Sequence, residues 1–155
     1  MFVGSFRGSF RHTLDSKGRL ALATPFRRVT GVKLKDGPQP LLVLTKGLNG
    51  CVWAFLEEGW SRVEEKLRER QFKDQESRDF MLEMMQHLQE VPIDAAGRIL
   101  IPQPHLALAA LERGRDALAL GMLDHFELWN PDKYDVHMAS KKSSYEENSR
   151  ELFGS

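Results

Sequence analysis

The chain has 155 residues, of which 41% are hydrophobic and 28% charged, as in one globular domain or two small ones. This composition excludes collagen-like, mucin-like and wholly disordered chains, and no apolar run reaches the ~18–20 residues that a membrane-spanning helix needs. Basic and acidic side chains balance at 22 each, yet the first 35 residues hold eight basic residues against Asp15 alone, a local net charge of +7. Exposed charges act over about one Debye length, ~8 Å at physiological salt, so this segregation predicts a basic face. A solvated face without a partner is the alternative.

Few residues suit catalysis or metal binding. A single cysteine, Cys51, excludes an internal disulfide and a site built from several thiolates. The five histidines include no i, i+4 pair of the kind that binds zinc, and no serine lies in a G-x-S-x-G context. The first residues lack the continuous apolar core of a signal peptide. We therefore predict a cytoplasmic protein with no catalytic residue, metal or cofactor.

The first elements in the chain form a strand, a turn and a second strand. Residues 10–14 alternate between apolar and polar, the period of a half-buried strand. A turn follows at 15–18, where Asp15 can accept a backbone N–H two residues on and Gly18 tolerates positive φ. Alternation resumes at 20–22.

The next elements are a short helix and two more strands. Thr24 before Pro25 predicts an N-cap followed by proline at the first helical position. Residues 36–40 are rich in proline and glycine and predict a loop. The runs 41–44 and 51–55 are typical of strands.

A long helical stretch is predicted from about residue 57 to 88, broken into two helices at 73–75. Its apolar residues recur on helical faces, which end in a group of methionines. Such a face predicts core packing, with an adaptable partner-binding surface as the alternative.

The second half repeats the first. The pattern D-x-x-G-R occurs at 15–19 and 94–98, and the segment 126–129 has its counterpart at 52–55. The second unit predicts strands at 89–91, 98–101, 117–120 and 126–129. A helix from about 104 to 113 and a last helix opened by the Asn130 cap complete it. Residues 141–155 are predicted to be a mobile tail.

The two D-x-x-G-R loops differ in chemistry. Asp15, Gly18, Asp94 and Gly97 can serve only to shape the turns, and each arginine can simply pair with its aspartate. The first loop, however, carries Ser16-Lys17, whereas the second carries Ala95-Ala96. Lysine and arginine can contact phosphate, and arginine can also bind a guanine edge bidentately. We therefore identify Ser16, Lys17 and Arg19 as candidate DNA-binding residues, with Arg7, Arg11, Arg27 and Arg28 adding phosphate contacts or a positive rim.

Three segments resemble the MraZ family of bacterial transcriptional regulators, of the AbrB/MazE-like superfamily. They are the stretch 6–20, the stretch 94–102 and Phe126-Glu127-Leu128-Trp129, and the resemblance covers about residues 6–135. This chain departs from the family at Gln103-Pro104-His105-Leu106, where a leucine-arginine pair is usual.

The resemblance implies an α+β fold in which two AbrB-like units, here 5–86 and 87–140, form a double-split β-barrel with flanking helices. It also implies a homo-oligomeric ring, associated with the nucleoid, that binds short direct repeats in double-stranded DNA. The family generally represses the division and cell wall gene cluster, its own gene included, and its DNA contacts correspond here to Asp15, Lys17, Gly18 and Arg19. The alternative is an assembly or protein-binding module whose basic face is incidental.

Overall fold

A computed structural model describes residues 4–31 and 39–154. Lys33, Lys35 and most of the predicted 36–40 loop lie outside these ranges. Within them the chain forms eight strands and six helices, which confirms the α+β class. The strands are β1 (Ser9–Thr13), β2 (Arg19–Ala21), β3 (Leu41–Lys46), β4 (Val52–Leu56), β5 (Gln89–Pro92), β6 (Arg98–Leu100), β7 (Asp116–Gly121) and β8 (His125–Trp129). The helices are α1 (Thr24–Thr30), α2 (Glu57–Arg70), α3 (Gln75–Gln86), α4 (Gln103–Leu108), α5 (Pro131–Ser140) and α6 (Tyr145–Phe153).

The two repeated units share their sheets. Six strands form an antiparallel sheet in the order β1-β7-β8-β4-β3-β5, and β2 pairs with β6 in a second, two-stranded sheet. The pairs β1–β7, β4–β8, β3–β5 and β2–β6 each join a strand of the first unit to one of the second. Neither unit therefore has a complete sheet of its own, and the two units fold together as one structure.

The main core is likewise assembled from both units. Phe6 and Phe26 of the first unit pack around Phe126 of the second, with ring centroids 5.0–5.2 Å apart. Apolar side chains of both D-x-x-G-R hairpins enter the same buried cluster, which includes Leu20 and Ile99. The two hairpins are thus anchored in one shared core.

The predicted break in the long helical stretch is confirmed. Asp74 caps α3 by accepting the backbone N–H of Ser77 at 2.7 Å. Met84 of α3 and Trp60 of α2 are buried against the sheet. Phe80 and Leu82 of α3 are exposed, so only one side of this helix packs as core. No helix in the described ranges is both long and apolar enough to cross a bilayer.

Two predicted helix ends were wrong. Thr24 is not the N-cap of α1: Ala23 holds that position and makes no side-chain bond, and α1 begins at Thr24. Helix α4 ends at Leu108, not near 113, because Ala110 adopts a left-handed conformation with φ of 52°. The N–H of Leu111 then bonds to the carbonyl of Leu106 at 2.8 Å, a Schellman ending that directs Leu111 into the core.

The last two helices begin with side-chain caps. Asn130 accepts the backbone N–H of Asp132 at 2.9 Å, which confirms the predicted cap of α5. The tail forms α6, capped by Ser144, with no buried residue.

His105, where the chain departs from the family pattern, is buried. Its Nε2 lies 2.6 Å from the carbonyl oxygen of His87, and burial lowers its pKa. The ring therefore packs as a neutral core group at the start of α4.

The segment Phe126–Trp129 has a structural role in which Glu127 joins two tryptophans. The indole N–H of Trp53 donates to Glu127 Oε2 at 3.0 Å, and that of Trp129 donates to Oε1 at 2.8 Å. Burial raises the pKa of Glu127, but the His125 imidazole 3.7 Å from Oε2 and the hydrogen bonds from the two indoles outweigh it and leave the pKa below its usual value. The carboxylate is therefore ionised and ties β4 to β8.

We expect Glu127→Gln to lower the free energy of unfolding by about 1–3 kcal/mol, because an amide offers only one acceptor oxygen to two indole groups. Denaturant unfolding followed by tryptophan fluorescence measures the change. Glu112→Gln is the control, because Glu112 makes only an exposed pair with Arg115 at 3.4 Å and should change stability by less than about 0.5 kcal/mol. Equal losses in the two variants would show that the indole bonds contribute nothing specific.

Candidate nucleic-acid interface

The first hairpin tip is organised by the side chain of Asp15. Its Oδ1 accepts the backbone N–H groups of Lys17 and Arg19, both at 2.9 Å, and its Oδ2 accepts Arg19 Nε at 2.6 Å. Gly18 has φ of 85°, and its N–H returns to the Asp15 carbonyl at 3.0 Å. Aspartate, glycine and arginine at this spacing therefore form a self-contained turn.

The second tip has the same geometry. Asp94 Oδ1 accepts the N–H groups of Ala96 and Arg98 at 2.9 Å, and Oδ2 accepts Arg98 Nε at 3.0 Å. Gly97 has φ of 77°. The two turns therefore have the same hydrogen bonds, and the hairpin tips differ in the side chains of their loop residues.

Both aspartates are held ionised. The backbone N–H of Arg19 has the largest effect on the pKa of Asp15, and burial opposes it. The Arg19 side chain and the N–H of Lys17 add to the lowering, which leaves the pKa at about 2. For Asp94, burial raises the pKa, but the hydrogen bonds from Arg98 outweigh it and the net shift is downward. A depressed folded-state pKa contributes stability above the unfolded value of ~3.9, which is lost only as the pH falls toward that depressed value. Both turns therefore persist across the neutral range.

The first tip presents polar and cationic groups that the second lacks. Ser16 and Lys17 are exposed, and Lys17 makes no ion pair within the described residues. Arg19 is 32% exposed and uses Nε for Asp15, while its two Nη groups make no hydrogen bond in the part of the chain that the structure describes. Ala95 and Ala96 occupy the equivalent exposed positions in the second tip.

The two tips lie at opposite ends of the two-stranded sheet. Its strands are antiparallel, with Arg19 opposite Leu100 and Ala21 opposite Arg98. The N–H of Ile101 bonds to the Gly18 carbonyl at 3.0 Å, and the N–H of Leu22 bonds to the Gly97 carbonyl at 2.9 Å. Each turn therefore accepts a backbone hydrogen bond from the other unit. Because the tips are at opposite ends of the sheet, a flat surface that contacts one tip end-on does not contact the other.

Arg113, which sequence reasoning missed, lies beside the first tip. A Cβ at Gly18 would be 3.4 Å from Arg113 Nε, and the neighbouring Gly114 donates its N–H to the Leu14 carbonyl at 2.8 Å. Arg113 is exposed and donates to Gln103 Oε1 at 3.5 Å. No linear signal marks this residue, because the repeat brings the loop after α4 against a hairpin almost a hundred residues earlier.

The remaining candidate arginines are dispersed. Arg11 is exposed on the edge strand β1, and Arg7 is exposed before that strand, with Nε donating to Ser5 at 2.8 Å. The length of β1, roughly 13 Å at ~3.3 Å per residue, separates Arg7 from the hairpin. Arg27 packs against Gly97 of the second tip and donates to the Leu22 carbonyl at 2.8 Å. The structure therefore brings together Ser16, Lys17, Arg19 and Arg113, but neither Arg7 nor Arg27.

Catalytic chemistry finds little support in the described residues. Cys51 is buried, and burial together with the nearby Glu127 carboxylate raises its pKa to about 12, so it is a neutral thiol at physiological pH. No group of three or more histidine, cysteine or acidic side chains is placed to hold a metal within the described ranges. The first tip instead offers separated cations and a hydroxyl, which suit phosphate and base-edge recognition.

Comparison with known proteins identifies the family. The family model "MraZ protein, putative antitoxin-like" matches residues 5–82 and 84–154. "Transcriptional regulator MraZ" of Acetivibrio thermocellus is 35% identical over 91% of this chain and 92% of its own length. The protein of the same name from Syntrophobacter fumaroxidans is 38% identical over 91% and 89%, and that from Heliobacterium modesticaldum is 32% identical over 95% and 96%. Similarity of this extent, together with the two D-x-x-G-R hairpins of one shared core, establishes that the chain belongs to the MraZ family.

Proposed function

We propose that this protein is a sequence-specific DNA-binding transcriptional regulator without catalytic activity, and that it contacts DNA through its first D-x-x-G-R hairpin. One observation carries the assignment of the hairpin. The two turns have the same hydrogen bonds, but only the first presents a hydroxyl beside its arginine, together with a lysine that has no ion-pair partner among residues 4–31 and 39–154. The names of the family relatives support the regulatory role.

Each residue at the tip has a distinct part in this proposal. Asp15 fixes Arg19 through Nε and leaves both Nη groups for a guanine edge or a phosphate. Lys17, which precedes Gly18, and Arg113, which lies close to Gly18, contact phosphates, and Ser16 adds a hydroxyl. Arg7, Arg11 and Arg28 add phosphate contacts farther from the tip, so they affect affinity more than specificity.

The family resemblance supports the finer parts of the proposal. We include in it a double-split β-barrel made by the two interlocked units and a homo-oligomeric ring in the cytoplasm, associated with the nucleoid. The ring binds short direct repeats and represses the division and cell wall gene cluster together with the protein's own gene. A single hairpin tip reaches only a few phosphates and gives weak non-specific binding, so tight binding requires several subunits.

An assembly or protein-binding module is the second candidate function. The exposed apolar side chains of α3, Phe80 and Leu82, favour it, because such a surface is typical of protein contacts. The two functions can be distinguished by whether the affinity for DNA depends on the DNA sequence, as it must for a sequence-specific regulator.

Selection from random duplex DNA, followed by fluorescence anisotropy at rising salt, tests the proposed function. We expect enrichment of one short motif and an affinity that falls steeply with salt, as neutralised phosphates release their counterions. Equal affinity for selected and unselected DNA would instead favour the protein-binding module.

A further inference from the structure

Helix α6 carries an apolar face that nothing in the described chain covers. At 100° per residue, Tyr145, Ser149, Leu152 and Phe153 fall within an arc of about 100°. The three large side chains are 78%, 76% and 79% exposed. A helix of nine residues is marginal in water on its own, so such a face gains stability by packing on a complementary surface.

A second uncovered apolar surface lies on the other helical part of the molecule. Helices α2 and α3 and the turn between them expose a contiguous group of apolar side chains, which we call the α2–α3 patch. Its members are the exposed Phe72, Phe80 and Leu82 and the half-buried Leu67, Met81 and Met85, which line two adjoining hollows. Phe72 is 91% exposed, although it lies between two well-formed helices. Patches of this kind on a folded protein mark interaction sites.

The charges around these two surfaces are complementary. Helix α6 carries Glu146, Glu147 and Glu151 against Arg150, a net charge of −2. The hollows of the α2–α3 patch are lined by Lys66, Arg70 and Arg78 against Glu76, a net charge of +2. The helix and the residues that line the patch therefore carry opposite net charges, which favours their association.

From the two faces and their charges, we infer that α6 of one subunit binds the α2–α3 patch of a second copy of this chain. Both surfaces are exposed within one described chain, so the chain's own helix does not cover its own patch. The two surfaces differ, so a contact that is not reciprocated between the same two subunits is head to tail and generates a ring or an open filament. The inference rests on the ring in the proposed function and assigns its interface, but involves no DNA contact.

Light scattering coupled to size exclusion tests the apolar half of the contact, without DNA. The unaltered protein should be a multimer at micromolar concentration, and the Leu152→Ser/Phe153→Ser variant should fall to the 17.7 kDa mass of one chain. Both side chains are exposed, so the variant keeps the fold, which circular dichroism checks. Val136→Ser, which alters an exposed residue of α5, is the control and should leave the multimer intact. A monomeric unaltered protein, or a multimer that survives the α6 double variant, overturns the inference.

A charge exchange tests which surface receives α6. Glu146 flanks the apolar face of α6, whereas Glu147 and Glu151 lie on the opposite side of the helix. Arg70→Glu with Arg78→Glu should weaken assembly at least tenfold, and adding Glu146→Arg should restore at least part of it. Glu147→Arg in place of Glu146→Arg should not. Failure of the rescue overturns the inference, and because no DNA is present, the hairpin proposal is tested separately.

Discussion

Arg19→Ala is expected to remove most specific DNA binding, whereas Arg98→Ala should leave it nearly unchanged. A lost bidentate base contact costs ~1–3 kcal/mol, which is roughly 5- to 150-fold in affinity at one site. Several hairpins engaged at once multiply this loss through avidity. Fluorescence anisotropy with a DNA duplex carrying the selected repeats measures it.

The duplicated hairpin supplies an unusually close control for this prediction. Both arginines pair with the i−4 aspartate through Nε, and their side chains are 32% and 38% exposed. The two alanine variants should therefore lose similar, small amounts of stability, typical of exposed ion pairs. Lys17→Ala gives the first loop the residue found at the equivalent Ala96, so it should weaken binding without any change in stability. Equal losses of affinity in Arg19→Ala and Arg98→Ala would refute the asymmetry between the hairpins.

Moving one DNA repeat by half a helical turn, about five base pairs, is expected to lower affinity more than tenfold. In a closed ring, neighbouring hairpins are related by the same head-to-tail contact, so successive tips meet the duplex in the same sense. Direct repeats spaced near one turn then present the same groove to each tip, whereas a two-fold dimer would require inverted half-sites. A half-turn insertion rotates one repeat to the far side and leaves a single tip bound.

Insertion of a full turn, about ten base pairs, serves as the comparison in the same anisotropy assay. The repeats again face the ring, and affinity should recover where adjacent hairpins can still reach both. Bending tens of base pairs around a ring costs about 1–6 kcal/mol, so we expect a few adjacent hairpins to engage together. Unchanged affinity after the half-turn insertion means that the tips do not bind the repeats jointly.

Features set by neighbouring residues were predictable from the sequence. The break between α2 and α3 depends on Asp74 and the bond it accepts from Ser77. The start of α5 depends on Asn130 in the same way. The D-x-x-G-R repeat indicated two equivalent turns, whose bonds all lie within five residues. In each case the deciding contact is local, so residue type and spacing are sufficient to predict it.

Features set by contacts distant in sequence were not predictable. Helix α4 stops early because Leu111 enters a core made by both units. Arg113 reaches the first tip only because the strands of one unit pair with those of the other. The sequence repeat indicated two units, but it did not indicate that strands of each unit pair with strands of the other unit of the same chain. Likewise, the role of Glu127 required the pairing that brings Trp53 and Trp129 to the same carboxylate.

Photo-crosslinking at equivalent positions of the two loops tests the hairpin assignment most directly. A benzophenone amino acid replaces Ser16 in one variant and Ala95 in the other, both at exposed sites that precede the second loop residue. Each variant is irradiated with the selected duplex, and covalent protein–DNA adducts are counted on a denaturing gel. We expect strong adduct formation from position 16 and background levels from position 95. Equal adducts from both positions, or adducts from position 95 alone, would contradict DNA contact through the first hairpin.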